Sequence, residues 1–121
     1  MASRNSTSTI RPLTHDDLDA LLCLYPHLHT NDAPLPDRET VERVWSQALA
    51  MPGSRYYGAF DDSTLVAACA ITIIPNLTRG CRPYAVIENV VTHGDYRRQG
   101  WGRAVMTAAL DFAWSQRCYK V

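Results

Sequence analysis

Apolar positions along this chain recur first at helical spacing, then at strand spacing, then at helical spacing again. Before the first helical run, Ser8 to Leu13 reads as a short strand that its proline confines to an edge or an end. Thr14 is a good helix cap, and Asp16 and Asp17 follow in the first turn, where the helix dipole favours carboxylates. Leu18, Leu21, Leu22 and Tyr25 then recur every three to four residues until Pro26 closes the run. His27 to Asp37 is polar and broken by prolines, which predicts a loop. Asp37 or a neighbour caps a second helix, whose apolar stripe is Val41, Val44, Trp45, Ala48 and Leu49. Pro52-Gly53 stops it.

From Ser54 the pattern becomes extended. Ser54 to Phe60 and Thr64 to Ile74 predict two antiparallel strands joined by the tight "DDS" turn. Pro75 to Pro83 reads as a loop, and Tyr84 to Thr92 as a third long strand in which Glu88 and Asn89 are the strongly polar residues. A glycine-rich turn, "DYRRQGWGRAV", leads into a last helix that buries Val105, Met106, Ala109, Leu110 and Ala113. "CYKV" (Cys118 to Val121) starts to look extended. The predicted order is therefore β-α-α-β-β-β-α-β.

Length and composition narrow the classes. At 121 residues, 46% hydrophobic and 20% charged, the chain suits one domain with a real core. Lys plus Arg and Asp plus Glu number 12 each, so no global basic field argues for nucleic acid or an anionic membrane. Arg97, Arg98 and Arg103 are a local cluster instead. The four cysteines, Cys23, Cys69, Cys81 and Cys118, show no paired ligand spacing, and no metal site is expected. Cys23 and Cys69 lie in apolar surroundings and read as small buried hydrophobes. Such usage suits a reducing, cytoplasmic setting. The opening "MASRNSTST" is polar, so residues 1–8 read as a disordered lead-in and 9–121 as the domain.

The glycine turn carries the chemistry. Gly100 and Gly102 allow close approach of backbone to a ligand, and they stand where a helix begins. Unpaired N–H groups and the helix dipole at such an end attract phosphate, and Arg97 and Arg98 add full charge. A Walker A loop would need Lys-Ser or Lys-Thr after its last glycine, and none follows here. A Rossmann fingerprint would need a third glycine and parallel strands.

These residues resemble the GCN5-related N-acetyltransferase superfamily, which carries [RQ]-x-x-G-x-[GA] between its fourth strand and third helix. Arg97-Arg98-Gln99-Gly100-Trp101-Gly102 matches that pattern in full, and "VIENVVT" and "DYR" before it are similar to the family. The resemblance implies a mixed, mainly antiparallel sheet flanked by helices, with the family's last strands absent. It implies acetyl-CoA as co-substrate, with its pyrophosphate on the N–H groups from Arg98 to Gly102. The backbone of Val90, Val91 and Thr92 would lie along pantetheine and polarise the thioester carbonyl. It also implies direct transfer to a primary amine, on a small molecule or a peptide, in a ternary complex.

Such a reaction needs a proton acceptor, and Glu88 in its apolar strand is the best placed carboxylate. Burial there would raise its pKa, although a sheet-margin carboxylate paired with an arginine reads equally well. Simple alternation would put Glu88 on one face with Val86 and Val90, and a bulge of the kind found in this family would change that. His29, Asn31 and Asp32, with His27, occupy the loop that borders the acceptor in the family. Trp45, Trp101 and Trp114 read as core or flank, and His93 as structural or exposed. Relatives continue past the fifth strand with a helix whose tyrosine protonates the departing thiolate, and no residue here takes that role. The open strand edge so expected suggests a homodimer or a strand-completing partner. An acyl-CoA-binding or partner-binding module without turnover, or a fragment needing a complementary chain, is the alternative reading.

Overall fold

In the computed structural model, which describes residues 7–121, the extended segments become four strands of one sheet. β1 (Ser8–Pro12), β2 (Ser54–Asp61), β3 (Thr64–Ile74) and β4 (Tyr84–Thr92) lie side by side in that order, each antiparallel to the next. Asp62 turns β2 into β3 with a φ of 52°, a left-handed conformation that a short polar side chain tolerates. Its carboxylate accepts the Thr7 N–H at 2.8 Å. Of the lead-in expected over 1–8, residues 1–6 lie outside the described part, and Ser8 is already paired with Asp61.

Helices cover both faces. α1 (Leu18–Leu24) and α2 (Arg38–Ala50) bury Leu18, Leu21, Leu24 and Trp45 against Phe60, Leu65, Ala68 and Val91. α4 (Trp101–Ser115) lays Val105, Ala109 and Ala113 on the opposite face, against Tyr57, Ala59, Val66, Ile71 and Ala85. Alanine at two of these three helix positions lets the helix axis come close to the sheet. Truncating a side chain as enclosed as Leu21 to alanine costs about 2–5 kcal/mol. The three-layer arrangement agrees with the fold class expected.

Some details differ from the sequence pattern. Val44 and Cys23, expected inside, are exposed, because each falls on the outer flank of its helix. Pro75 to Pro83 contains the four-residue α3 (Thr78–Cys81), interrupted by positive φ at Arg79 and Gly80. Asp17 does more than sit in a helix dipole. It accepts the Thr14 N–H at 2.7 Å and two Arg11 N–H groups at 2.8 and 3.0 Å, joining β1 to α1. The Arg11 guanidinium, more than the Thr14 amide, holds the Asp17 carboxyl below the usual carboxylate range against the opposing effect of burial.

The extended "CYKV" does not become a strand. Tyr119 N–H donates to the Pro83 carbonyl at 3.0 Å and Ala85 N–H to the Lys120 carbonyl at 3.1 Å, and the pairing ends there. Two bonds align the segment with the start of β4 without building a ladder. Beyond Ala85 the outer edge of β4 has no strand beside it among the described residues.

Candidate functional site

β4 carries a bulge at the position where its polar residues fall. Ala70 faces Glu88 and Ala68 faces Val91, so Asn89 and Val90 together stand opposite Cys69 alone. Asn89 takes a φ of 53°, which asparagine tolerates better than a β-branched residue. The extra residue inverts the alternation. Ile87 packs with the α4 cluster, and Val91, four residues on, packs with the α1 and α2 cluster. Glu88, next to Ile87, therefore faces the side of α1 and α2, and Val90 no longer shares its face.

Glu88 is exposed, so the desolvation expected of a carboxylate inside an apolar strand is missing. Nor does it pair with an arginine among the described residues. The neighbouring Tyr25 is half-buried, packed against the α1 and α2 cluster. Burial holds its phenol above the ordinary range, reinforced by Tyr56 and Cys69 and opposed by a hydrogen bond from Asn89. Cys69, under the bulge on the α4 side, meets the Val105 carbonyl at 3.7 Å, and burial pushes its thiol up to about 11.

Below the bulge the strand's polar groups alternate between β3 and the open edge. His93 N–H donates inward to the Val66 carbonyl at 2.8 Å. Thr92 faces outward, and its carbonyl accepts from Arg97 Nε at 3.5 Å. By the same alternation Val90 presents its amide to the open edge, while Val91 turns toward β3 and buries its side chain. Of the three residues expected along pantetheine, two are therefore available at the edge.

The glycine turn forms a cleft of about 550 Å³ lined by Thr92, Tyr96 and every residue from Arg97 to Arg103. Gly100 precedes α4 with a φ of 89°, and Arg98 has a φ of 64°. Two left-handed residues in three turn successive amides toward one side, a geometry that suits an anion. No side chain caps this end of α4 among the described residues. The first helical acceptor is Gly100, which takes the Ala104 N–H at 3.0 Å. The amides of Trp101, Gly102 and Arg103 come before it and have no partner within the helix. A Cβ on Gly100 would meet no atom within 4 Å, so the glycine serves conformation; one on Gly102 would stand 3.0 Å from Thr92 Oγ1.

The basic side chains divide between two tasks. Arg97 is turned inward, donating to the His27 carbonyl at 3.1 Å as well as to Thr92. Gln99 folds back on Trp101 Nε1 at 3.3 Å and on the Asp95 carbonyl at 3.4 Å. Arg98 and Arg103 line the cleft and form no ion pair among the described residues. Three free amides, a helix dipole and two unpaired cations match the charge and donor demand of a pyrophosphate.

On the α1 side, His29, Asn31 and Asp32 share a shallow cleft with Leu28 and Thr30. His29 and Asp32 also border a smaller one with Leu22, Tyr25 and Leu35. Tyr25 connects this cleft to the bulge beside Glu88. Sequence reasoning placed His27 in the acceptor-side loop and read His93 as structural or exposed, and it did not bring them together; their rings stack at 4.0 Å beside the glycine turn. Their signal was faint, because the contact joins residues distant in the chain. No group of three or more metal-binding side chains occurs among the described residues, and no helix there is long and apolar enough to cross a membrane.

Comparison with known proteins gives this geometry its context. The model of the acetyltransferase (GNAT) family matches residues 18–121. A glucosamine 6-phosphate N-acetyltransferase of Trypanosoma brucei brucei is 30% identical over 112 residues, covering 93% of this chain and 76% of its own. An aminoglycoside N(6')-acetyltransferase type 1 of Serratia marcescens is 29% identical, covering 86% of this chain and 70% of its own. Among solved structures, one from Agrobacterium tumefaciens str. C58, provisionally described as an acetyltransferase, superposes with a TM-score of 0.88 at 41% identity. That match covers 93% of this chain and 78% of the other.

Proposed function

This chain belongs to the GNAT acetyltransferase family and is of the acetyltransferase class; from that premise we propose that it acetylates a primary amine by direct attack, with acetyl-CoA held at the glycine turn. The observation that carries the reading is the uncapped start of α4, set beside the open edge of β4. Acetyl-CoA supplies the acetyl group as an activated thioester.

The amides from Arg98 to Gly102, with Arg98 and Arg103, bind the pyrophosphate. The outward amides of Val90 and Thr92 orient and polarise the thioester carbonyl along the strand edge. Glu88 faces the side where His29, Asn31 and Asp32 border the acceptor, and it takes the proton that the ammonium must lose, directly or through water. The amine nitrogen then bonds to the acyl carbon as the carbon–sulfur bond breaks; the sulfur leaves as thiolate, and the proton that the new amide nitrogen sheds passes to that thiolate or to water. Exposure leaves Glu88 able to exchange that proton with solvent after each turnover.

The named relatives acetylate a sugar amine and an aminoglycoside, and we extend to this chain only the shared chemistry, a primary amine on a polar carrier. The experiment is a thiol-release assay with acetyl-CoA over a panel of amino sugars, aminoglycosides and peptides. Amine-dependent thiol release with at least one acceptor is the expected result. Binding of CoA without release on any of them would point instead to a non-catalytic acyl-CoA-binding module.

A further inference from the structure

Two imidazoles hold the loop that delivers β4 into the glycine turn. His27, ending the 3-10 turn Tyr25–His27 that follows α1, accepts the Gly94 N–H on Nδ1 at 3.0 Å. His93 accepts the Asp95 N–H on its own Nδ1 at 3.1 Å. The rings lie against each other, centroids 4.0 Å apart and tilted by 36°. Tyr96 then meets His93 edge-on at 5.4 Å and Trp101, the first residue of α4, at 6.4 Å. A continuous line of rings therefore joins the end of α1 to the first amide of the uncapped helix. Arg97 reinforces it through the His27 carbonyl.

An imidazole accepts on Nδ1 only while that nitrogen carries no proton. Protonating His27 or His93 there would turn an acceptor into a donor that faces another donor. Protonating both would place two cations in ring contact, with Arg97 beside them. Cys23 faces the pair from α1, and Asp95, Tyr96 and Arg97 face it from the turn. Ser63, Thr64 and Leu65, on the β2–β3 side, bring no charge. Asp95 meets His93 through its amide, which is a donor in either state.

We propose that His27 and His93 are positioning residues for the CoA-binding turn, and that CoA binds the form in which both rings are neutral. This rests on the reading of Arg97 to Gly102 as the CoA site. Protons and CoA then compete for the two forms of the turn, so affinity falls on acidification. Asparagine offers an amide oxygen near the position of Nδ1 and does not titrate. Phenylalanine keeps the ring and lacks the acceptor.

The test is calorimetric affinity for CoA at about pH 8 and about pH 5.5, for wild type, His27→Phe and the double variant His27→Asn, His93→Asn. His27→Phe should weaken binding about tenfold at the higher pH, and the double variant by less than about threefold. Between the two pH values wild type should lose about tenfold more affinity than the double variant. The phosphates of CoA titrate too, so only the difference between proteins counts. Wild-type affinity in His27→Phe, or an equal acid loss in the double variant, would overturn the proposal and leave the CoA site standing. Absence of CoA binding by wild type at the higher pH would overturn both.

Discussion

Thr92 Oγ1 lies where it would be 3.0 Å from a Cβ on Gly102, so the second glycine of the turn lets α4 start in close contact with β4. The hydroxyl occupies the space of the missing side chain, and the helix start is thereby fixed beside the strand edge. This separates the two glycines by role, one for backbone conformation and one for proximity.

Gly102→Ala should destabilise the protein by about 1–3 kcal/mol through overpacking, and weaken acetyl-CoA binding with it. In a Thr92→Ala background the cost should shrink, because the obstructing oxygen is gone. Denaturant melts of the four proteins in this cycle measure the coupling. Additive costs would mean that the contact does not set the helix position.

Glu88→Gln should leave CoA affinity unchanged and reduce kcat by about a hundredfold or more, the range for a lost general base. The acidic limb of the rate–pH profile should flatten in the same variant. Steady-state kinetics across pH checks both effects, and an unchanged profile would reduce Glu88 to a bystander on the bulge.

Asp17 predicts a pH effect on stability rather than on rate. Its folded carboxyl titrates below the unfolded value of about 3.9, so its contribution is present above that pH and lost as pH falls through the folded value. Asp17→Asn should cost about 1–3 kcal/mol near neutrality by leaving Arg11 without its charged partner. Thermal melts from about pH 7 to about pH 3 should show the two proteins converging toward the acid end. A constant gap would contradict the pairing.

The cysteines should divide by position. Cys23 and Cys81 are exposed, whereas Cys69 and Cys118 are buried. With its thiol pushed up to about 11 and enclosed by α4, Cys69 should resist alkylation until the protein unfolds. Mass spectrometry after iodoacetamide treatment at neutral pH should find Cys23 and Cys81 modified first. Early labelling of Cys69 would show that the α4 face opens more readily than its packing implies.

Much of this was readable along the chain. β3 and β4 begin and end where their apolar runs do, because strand edges there coincide with prolines and turn residues. The anion-binding turn was readable because its requirements, two glycines and adjacent cations, are local. The facing of Glu88 was not, since one inserted residue at Asn89 inverts every side chain after it. Arg97 looked like a phosphate ligand by spacing and is instead committed to two carbonyls, one of them 70 residues away. A similar distance hid the contact of His27 with the turn. A helical window also fails to give the width of the buried stripe, which is how Val44 and Cys23 came out on the surface.

The central claim, that the turn from Arg97 to Gly102 is the CoA site, is tested most directly by calorimetry of CoA with wild type and Gly100→Val. The substitution forces a β-branched residue to a φ of 89°, where it has open space but the wrong backbone preference. The turn's amides should swing away while the sheet and both cores persist. The account predicts saturable CoA binding by wild type, and a loss of at least about tenfold in a variant whose circular dichroism is unchanged. Wild-type affinity in a folded Gly100→Val protein would contradict it.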